Sequence, residues 1–232
     1  MSLIVDIGNT RVKVANFEGN SLNGVEFFNH ELWIPYVKSK SEDSLLISNV
    51  GMDDIVVKEY FPEALILTHK LKFGFENLYA TPETLGVDRI ALVEGSMAYG
   101  QSNRLIIDLG SCITYDFINN KNEYLGGAIS PGLQIRGRSL NNFTAKLPLI
   151  DSMEINDLIG RSTSDAIRSG VFNGVIHELN GVITSYEDQF GELDVIITGG
   201  DAKTFESKIK RTIFVAPNLA LEGLNKILQD NS

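Results

Sequence analysis

The sequence predicts an α/β protein made of two related halves. Apolar, β-branched runs alternate with helical stretches along the chain, the pattern of sheets covered by helices. One phrase (apolar triplet, Asp, apolar, Gly, small polar) occurs twice, as Leu3-Ile4-Val5-Asp6-Ile7-Gly8-Asn9 and as Leu105-Ile106-Ile107-Asp108-Leu109-Gly110-Ser111. Each copy continues into a second apolar stretch, Val12 to Phe17 or Ile113 to Ile118, and then a polar turn. Each half therefore opens on a hairpin, and the halves divide as residues 1–104 and 105–232.

Taken in order, residues 1–17 form two strands joined at Asp6 to Thr10, and Phe27 to Trp33 is read as a third. Ile34 to Asp43 is helical, residues 45–51 form a buried strand, Asp53 to Phe61 a short helix and Ala64 to Leu67 a further strand. Pro82 holds Tyr79 to Thr81 extended. Gly86 turns the chain into a helix whose apolar positions are Ile90, Val93 and Met97. After the second hairpin, residues 124–132 form a glycine-rich loop closed by Pro131-Gly132. Leu133, Arg136, Leu140, Phe143 and Leu147 then lie at helical spacing, as core or a subunit interface. Gly160 to Gly170 opens a long helix, and Leu193 to Ile197 is a strand entering the Gly199-Gly200 turn and a helix. Residues 218–224 begin the last helix.

Composition narrows the function. Lys and Arg number 20 against 30 Asp and Glu, a net charge of −10, which argues against nucleic acid or an anionic membrane as partner. Cys112 stands alone, so there is no disulfide framework and no thiolate zinc site. Asp6 interrupts the first apolar run, and no basic leader or membrane-length apolar segment is present. The expectation is a cytoplasmic protein.

Three stretches carry chemistry. Asp108 ends a buried strand, and Gly110 lets main-chain N–H groups approach an anion beside the Ser111 and Thr114 hydroxyls. A carboxylate repels a phosphate, so its place beside such a cradle calls for a cation between them. Asp88 and Arg89 stand at a helix start, where an N-cap is the everyday role of the aspartate. Thr163 stands at another, with the same two readings, cap or ligand hydroxyl. There is no Gly-x-x-x-x-Gly-Lys-Ser/Thr loop and no Gly-x-Ser-x-Gly elbow. His30, His69 and His177 lack metal-ligand spacing and read as structural or solvated.

Asp6-Ile7-Gly8-Asn9-Thr10, Leu85-Gly86-Val87-Asp88-Arg89, Asp108 to Thr114, Gly126 to Gly132, Gly160-Arg161-Ser162-Thr163, Thr198 to Ala202 and Leu221-Glu222-Gly223-Leu224 together resemble, in order, the type III pantothenate kinases. The resemblance implies two actin-like (ribonuclease-H-like) domains with mixed sheets flanked by helices and a ligand cleft between them. It further implies a cytoplasmic homodimer that transfers the γ-phosphoryl group of ATP to pantothenate, with Mg2+ and a monovalent cation, K+ or NH4+. By that resemblance Asp88 is the general base, and Tyr79, Gly86, Val87, Asp88, Arg89 and Thr163 hold pantothenate. Asp6, Ile7, Gly8, Asn9, Thr10, Arg11, Val12, Lys13 and Ser111 cradle ATP, and Asp108 binds the monovalent cation. Ser111 departs from the family's usual Thr, keeping the hydroxyl and losing a methyl. The rival readings are another actin-like small-molecule kinase and a nucleotide-binding regulator resembling the Bvg accessory factor.

Overall fold

The computed structural model describes residues 1–8, 11–40, 44–155 and 157–232. Its first elements are β1 (Ser2–Ile7), β2 (Val12–Glu18), β3 (Ser21–Phe28), α1 (Trp33–Lys38), β4 (Ser44–Asn49), α2 (Asp54–Tyr60), β5 (Leu65–Ile66), β6 (Glu76–Asn77) and α3 (Val87–Ser96). There follow β7 (Arg104–Leu109), β8 (Cys112–Ile118), β9 (Glu123–Pro131), α4 (Leu133–Asn142), α5 (Thr163–Phe190), β10 (Asp194–Thr198), α6 (Ala202–Glu206), β11 (Ile213–Val215) and α7 (Leu219–Asp230). The chain forms two compact units. The first takes Met1–Gln101, Lys121–Leu125 and Asn218–Ser232, and the second takes Ser102–Asn120 and Gly126–Pro217.

The first unit has a five-stranded sheet in the order β3-β2-β1-β4-β5. β1 pairs antiparallel with β2 and parallel with β4. Leu3, Ile4, Val5 and Ile7 are all essentially inaccessible, because helices cover both faces, as a central apolar strand requires. Trp33 and Val37 of α1 and Val57 of α2 join Leu3, Val5 and Ile7 on one face. On the other, α3 and α7 pack against each other and against β4, and α7 also reaches β1. A Cβ built on Gly95 would lie 2.2 Å from the Leu219 carbonyl oxygen, and one on Gly223 would lie 2.0 Å from that of Ala91. The two backbones meet with no room for a methyl group.

The division expected at 104/105 assigns the last helix to the second half. Instead α7 belongs to the first unit, because Leu219, Leu221, Leu224, Ile227 and Leu228 find their apolar partners there. Asn225 ties it down further: its amide nitrogen donates to the Gly19 carbonyl at 2.8 Å, and its oxygen accepts from the Ser2 hydroxyl at 2.7 Å.

In the second unit the strand order is β11-β10-β7-β8-β9. β7 pairs antiparallel with β8 and parallel with β10, so the hairpin-plus-parallel-strand arrangement of β1, β2 and β4 recurs. Ile167, Val171, Val175, Leu179 and Ile183 recur every fourth residue on α5 and close one core with Leu105, Ile107 and Ile197. The first residues of β9 lie in the first unit, where Glu123 and Tyr124 pair in parallel with Glu76 and Asn77 of β6.

Four local expectations change. The third strand is Ser21–Phe28, not Phe27 to Trp33, because Asn23 and Gly24 interrupt its apolar residues and none of the eight is buried on this edge strand. Helix α1 is shorter than the 34–43 span, and its predicted end falls partly on residues outside the described set. The glycine-rich 124–132 stretch is mostly strand, with Gly127 placed where a Cβ would lie 1.6 Å from the Tyr115 carbonyl oxygen of the neighbouring strand. Helix α4 stops at Asn142, and Asn141 donates to the Leu147 carbonyl at 2.7 Å, folding the stripe's end back. Among the described residues no helix is long and apolar enough to cross a membrane.

Replacing Gly223 by Ala should lower stability by about 1–3 kcal/mol through overpacking. Gly181→Ala, in open space at an exposed position of α5, should instead raise it by about 0.5–1 kcal/mol. Denaturant unfolding of the two variants reads both; equal effects would contradict the tight α3–α7 crossing.

Candidate active site

In the first unit Asp6 stands in the middle of three strands, opposite Lys13 of β2 and Ser48 of β4. Directly opposed residues share a sheet face, so all three side chains meet. The Lys13 ammonium lies 3.8 Å from the carboxylate, whose side chain is 15% exposed. Burial pushes the Asp6 pKa above its ordinary value; Lys13 opposes this, Asp88 reinforces it and Ser48 gives weak relief. The Ser48 hydroxyl falls short of full hydrogen-bond geometry with any group. Asp88 is thus close enough to Asp6 for the two carboxylates to repel.

The turn after β1 is held by its own main chain, with the Gly8 N–H donating to the Arg11 carbonyl at 3.2 Å. Gly51 packs beneath it, where a Cβ would lie 2.5 Å from the Gly8 carbonyl oxygen. Ile7 and Val12 point into the core, so only their backbones can face a ligand. Arg11 is exposed and lies over the Phe27 ring at 5.4 Å. Asn9 and Thr10 lie outside the described residues.

At the start of α3 the N-cap residue is Gly86, with no side-chain cap bond. Asp88 is therefore not the N-cap. It sits one turn-position further on, exposed, with its Oδ1 accepting from the Arg89 N–H at 2.9 Å. A Cβ on Gly86 would lie 2.4 Å from that oxygen, so a glycine here lets the carboxylate fold back over the turn. The His69 Nε2–H donates to the Leu85 carbonyl at 2.7 Å and fixes the approach. That is a structural role, as the isolated histidine suggested.

Arg89 is buried, 5% exposed. Its Nη2 donates to the Tyr124 hydroxyl at 2.9 Å, and its guanidinium carbon lies 5.8 Å from the Tyr79 ring centre. Tyr79 stacks on Tyr124 at 6.2 Å, and Phe75 meets Tyr124 edge-on at 6.0 Å. Tyr79 thus lies against Arg89, next to Gly86, Val87 and Asp88 at the same helix start. Tyr124 and Phe75 are the additions. The stretch Glu123-Tyr124-Leu125-Gly126 has no strict apolar alternation to announce a strand, and the glycines that follow it suggest a loop.

Glu94 lies on the same helix, 2% exposed. Its Oε2 accepts from the Gly74 N–H at 2.8 Å, and its Oε1 is buried without a hydrogen-bond partner. Burial raises its pKa, the Gly74 bond counteracts this, Asp230 adds to the rise and Lys226 opposes it.

In the second unit Asp108 stands between Thr114 of β8 and Thr198 of β10 in register. The three side chains share one face of the sheet. Gly199, at φ +94°, occupies a position where a Cβ would lie 2.4 Å from Asp108 Oδ1 and 2.5 Å from the Leu109 carbonyl oxygen. Thr114 Oγ1 is buried without a hydrogen-bond partner. A carboxylate, hydroxyls and carbonyl oxygens form a hard-cation donor set. Among the described residues no group of three or more His, Cys, Asp or Glu could hold a metal ion, so a thiolate or imidazole metal centre is not what this set resembles. The exposed Ser111 sits at the tip of the same turn, its carbonyl accepting from the Gly132 N–H at 3.0 Å.

Thr163 is not a cap. Ser162 is, its hydroxyl accepting from the Asp165 N–H at 3.1 Å. Thr163, exposed, lines a groove of about 560 Å³ with Arg136, Ser139, Leu140, Leu147 and Val171.

Strands flanked by helices in both units, with an Asp-x-Gly turn in each, make this the fold of the actin-like phosphotransferases. Solved structures agree on the fold: an inorganic polyphosphate/ATP-glucomannokinase from Arthrobacter matches over 99% of both chains with a TM-score of 0.54 at 13% identity. A Campylobacter jejuni protein assigned to the Baf family of transcriptional activators matches 99% of this chain and 98% of its own, with a TM-score of 0.67 at 22% identity. The family profile of type III pantothenate kinase matches residues 2–185. The type III pantothenate kinase of Flavobacterium johnsoniae is 43% identical over 242 residues, spanning 99% of this chain and 98% of its own. That of Christiangramia forsetii is 41% identical, spanning 100% and 99%. The chain belongs to the type III pantothenate kinase family.

The Glu94 proton has a consequence for stability. A raised pKa means the folded chain binds that proton more tightly than the unfolded chain, so stability declines as pH rises from the ordinary glutamate value through the raised one. Glu94→Gln, which can still accept from Gly74, should flatten that decline. Thermal melts from pH 4.5 to pH 8 (about the range in which such groups titrate) check it, and an unchanged slope would clear Glu94 of the effect.

Proposed function

We propose that this protein phosphorylates pantothenate to 4'-phosphopantothenate with ATP, the first step of coenzyme A biosynthesis, and that Asp88 is its general base. The observation that supports this most directly is an exposed carboxylate beside a buried guanidinium at one helix start, Asp88 and Arg89, in a chain related over its full length to type III pantothenate kinases. Arg89 offers a planar fork suited to the pantothenate carboxylate. Tyr79 and the Gly86–Val87 backbone complete that wall, and the Thr163 hydroxyl is a further contact in this reading. The carboxylate of Asp88 accepts the proton of the primary hydroxyl as its oxygen attacks phosphorus.

In this reading Asp6, Ile7, Gly8, Asn9, Thr10, Arg11, Val12, Lys13 and Ser111 are the residues assigned to ATP. Asp108, with Thr114 and Thr198 beside it, would hold K+ or NH4+; the buried Thr114 hydroxyl without a protein hydrogen-bond partner supports that reading. The monovalent cation and Mg2+, when bound, neutralise charge on the phosphates and the transferring group. What the chain contributes is position: phosphoryl transfer gains chiefly from holding acceptor and donor in line. A homodimer in the cytoplasm, using the α4 region as interface, belongs to the same reading.

ATP-dependent turnover of pantothenate by the purified protein tests it, with K+ or NH4+ present and then replaced by Na+. Asp88→Asn should cut kcat by about 10²–10⁴-fold with little change in KM for pantothenate. Asp108→Asn should abolish the cation response. Full turnover in Asp88→Asn would remove the base assignment and leave the kinase. Bound ATP with no pantothenate turnover under any cation would favour the regulatory reading.

A further inference from the structure

We propose that Tyr124 is a positioning residue of the acceptor seat, its hydroxyl orienting the Arg89 guanidinium toward the carboxylate of the substrate; this rests on the pantothenate reading above. Tyr124 is wholly buried, yet it sits on β9, some 35 residues from Arg89 in sequence. Three separate contacts converge on it. Its hydroxyl accepts from Arg89 Nη2 at 2.9 Å, its ring stacks on Tyr79 at 6.2 Å, and its carbonyl accepts from the Leu78 N–H at 3.0 Å. One residue therefore contacts two of the side chains placed in the acceptor seat, Arg89 and Tyr79.

The hydroxyl is the informative atom. Stacking against Tyr79 and the edge contact from Phe75 need only an aromatic ring, and phenylalanine would provide it. A buried tyrosine hydroxyl must find a polar partner, and here that partner is a guanidinium whose value lies in its fixed planar fork. An arginine reads a carboxylate bidentately only when the fork is aimed, and its long stem has many rotamers to lose. Tethering one terminal nitrogen to Tyr124 removes that freedom before the substrate arrives. The parallel pairing of β9 with β6 places the tether. Asn77 stands opposite Tyr124 in register, and Tyr79 follows two residues later, on the same side of the extended chain.

Tyr124→Phe keeps the ring and deletes the tether. Its KM for pantothenate should rise by roughly tenfold, the scale of a lost hydrogen bond to a charged group, while KM for ATP and kcat at saturation stay at wild-type values. Selectivity should fall as well: the preference for pantothenate over an acceptor with a neutral alcohol or amide in place of the carboxylate should narrow. In an Arg89→Lys background the Tyr124→Phe change should add nothing, because the fork it aims is gone, and this comparison holds even if Tyr124→Phe lowers Tm. An unmoved KM for pantothenate in Tyr124→Phe, or a full additional loss in the Arg89→Lys background, overturns the assignment. Wild-type protein that turns over no pantothenate at all overturns the acceptor reading, and this one with it.

Discussion

Where α3 crosses α7, the backbones approach so closely that neither Gly95 nor Gly223 has space for a Cβ. The position of α3 is set by this contact, and α3 carries exposed Asp88 and buried Arg89 at its N-terminal end and Glu94 in its buried middle. Helices usually meet through interdigitated side chains 8–10 Å apart, which tolerate small shifts. A glycine-to-backbone contact is less forgiving, since hard atoms rather than rotamers determine the distance. Residues at the start of α3 inherit that rigidity, and a base or a carboxylate receptor needs placement to within about half an ångström.

The two Asp-x-Gly turns are similar in topology and different in charge. Asp6 and Asp108 each follow three buried apolar residues, and each belongs to a strand flanked by an antiparallel and a parallel neighbour. At the matching antiparallel position stands Lys13 in one unit and Thr114 in the other. A lysine provides a resident positive charge that a threonine does not. The same backbone thus makes one turn with a resident positive charge and one whose register neighbours are neutral oxygen donors.

Much of this could be read from the residues. Repetition of the Asp-Gly phrase disclosed the two hairpins, and β-branched triplets disclosed the central strands, because strands buried on both faces carry no competing polar signal. The grouping of Gly86, Asp88 and Arg89 was legible because it is local. Three things were not. Edge strand β3 scatters Leu22, Val25, Phe27 and Phe28 without a strict alternation, because none of its residues is buried. The role of α7 depends on a partner helix more than 120 residues away (Gly95 against Gly223), which no window of sequence spans. Tyr124 was obscured by glycines that serve close strand packing, a property of the neighbouring chain rather than of their own stretch. Both capping readings failed in the same informative way: the caps are Gly86 and Ser162, leaving Asp88 and Thr163 beyond the cap.

The first unit is discontinuous in sequence, closed by residues 218–232 after the whole of the second unit. Synthesis therefore completes the second unit's segment before the first can bury α3 against α7. During translation the early sheet must persist with one apolar face waiting, exposed to chaperones and to other nascent chains. The unit that carries Asp88 and Arg89 is consequently the last to mature, and a chain cut short by a dozen residues would leave α3 without its partner helix while keeping the segment of the other unit entire.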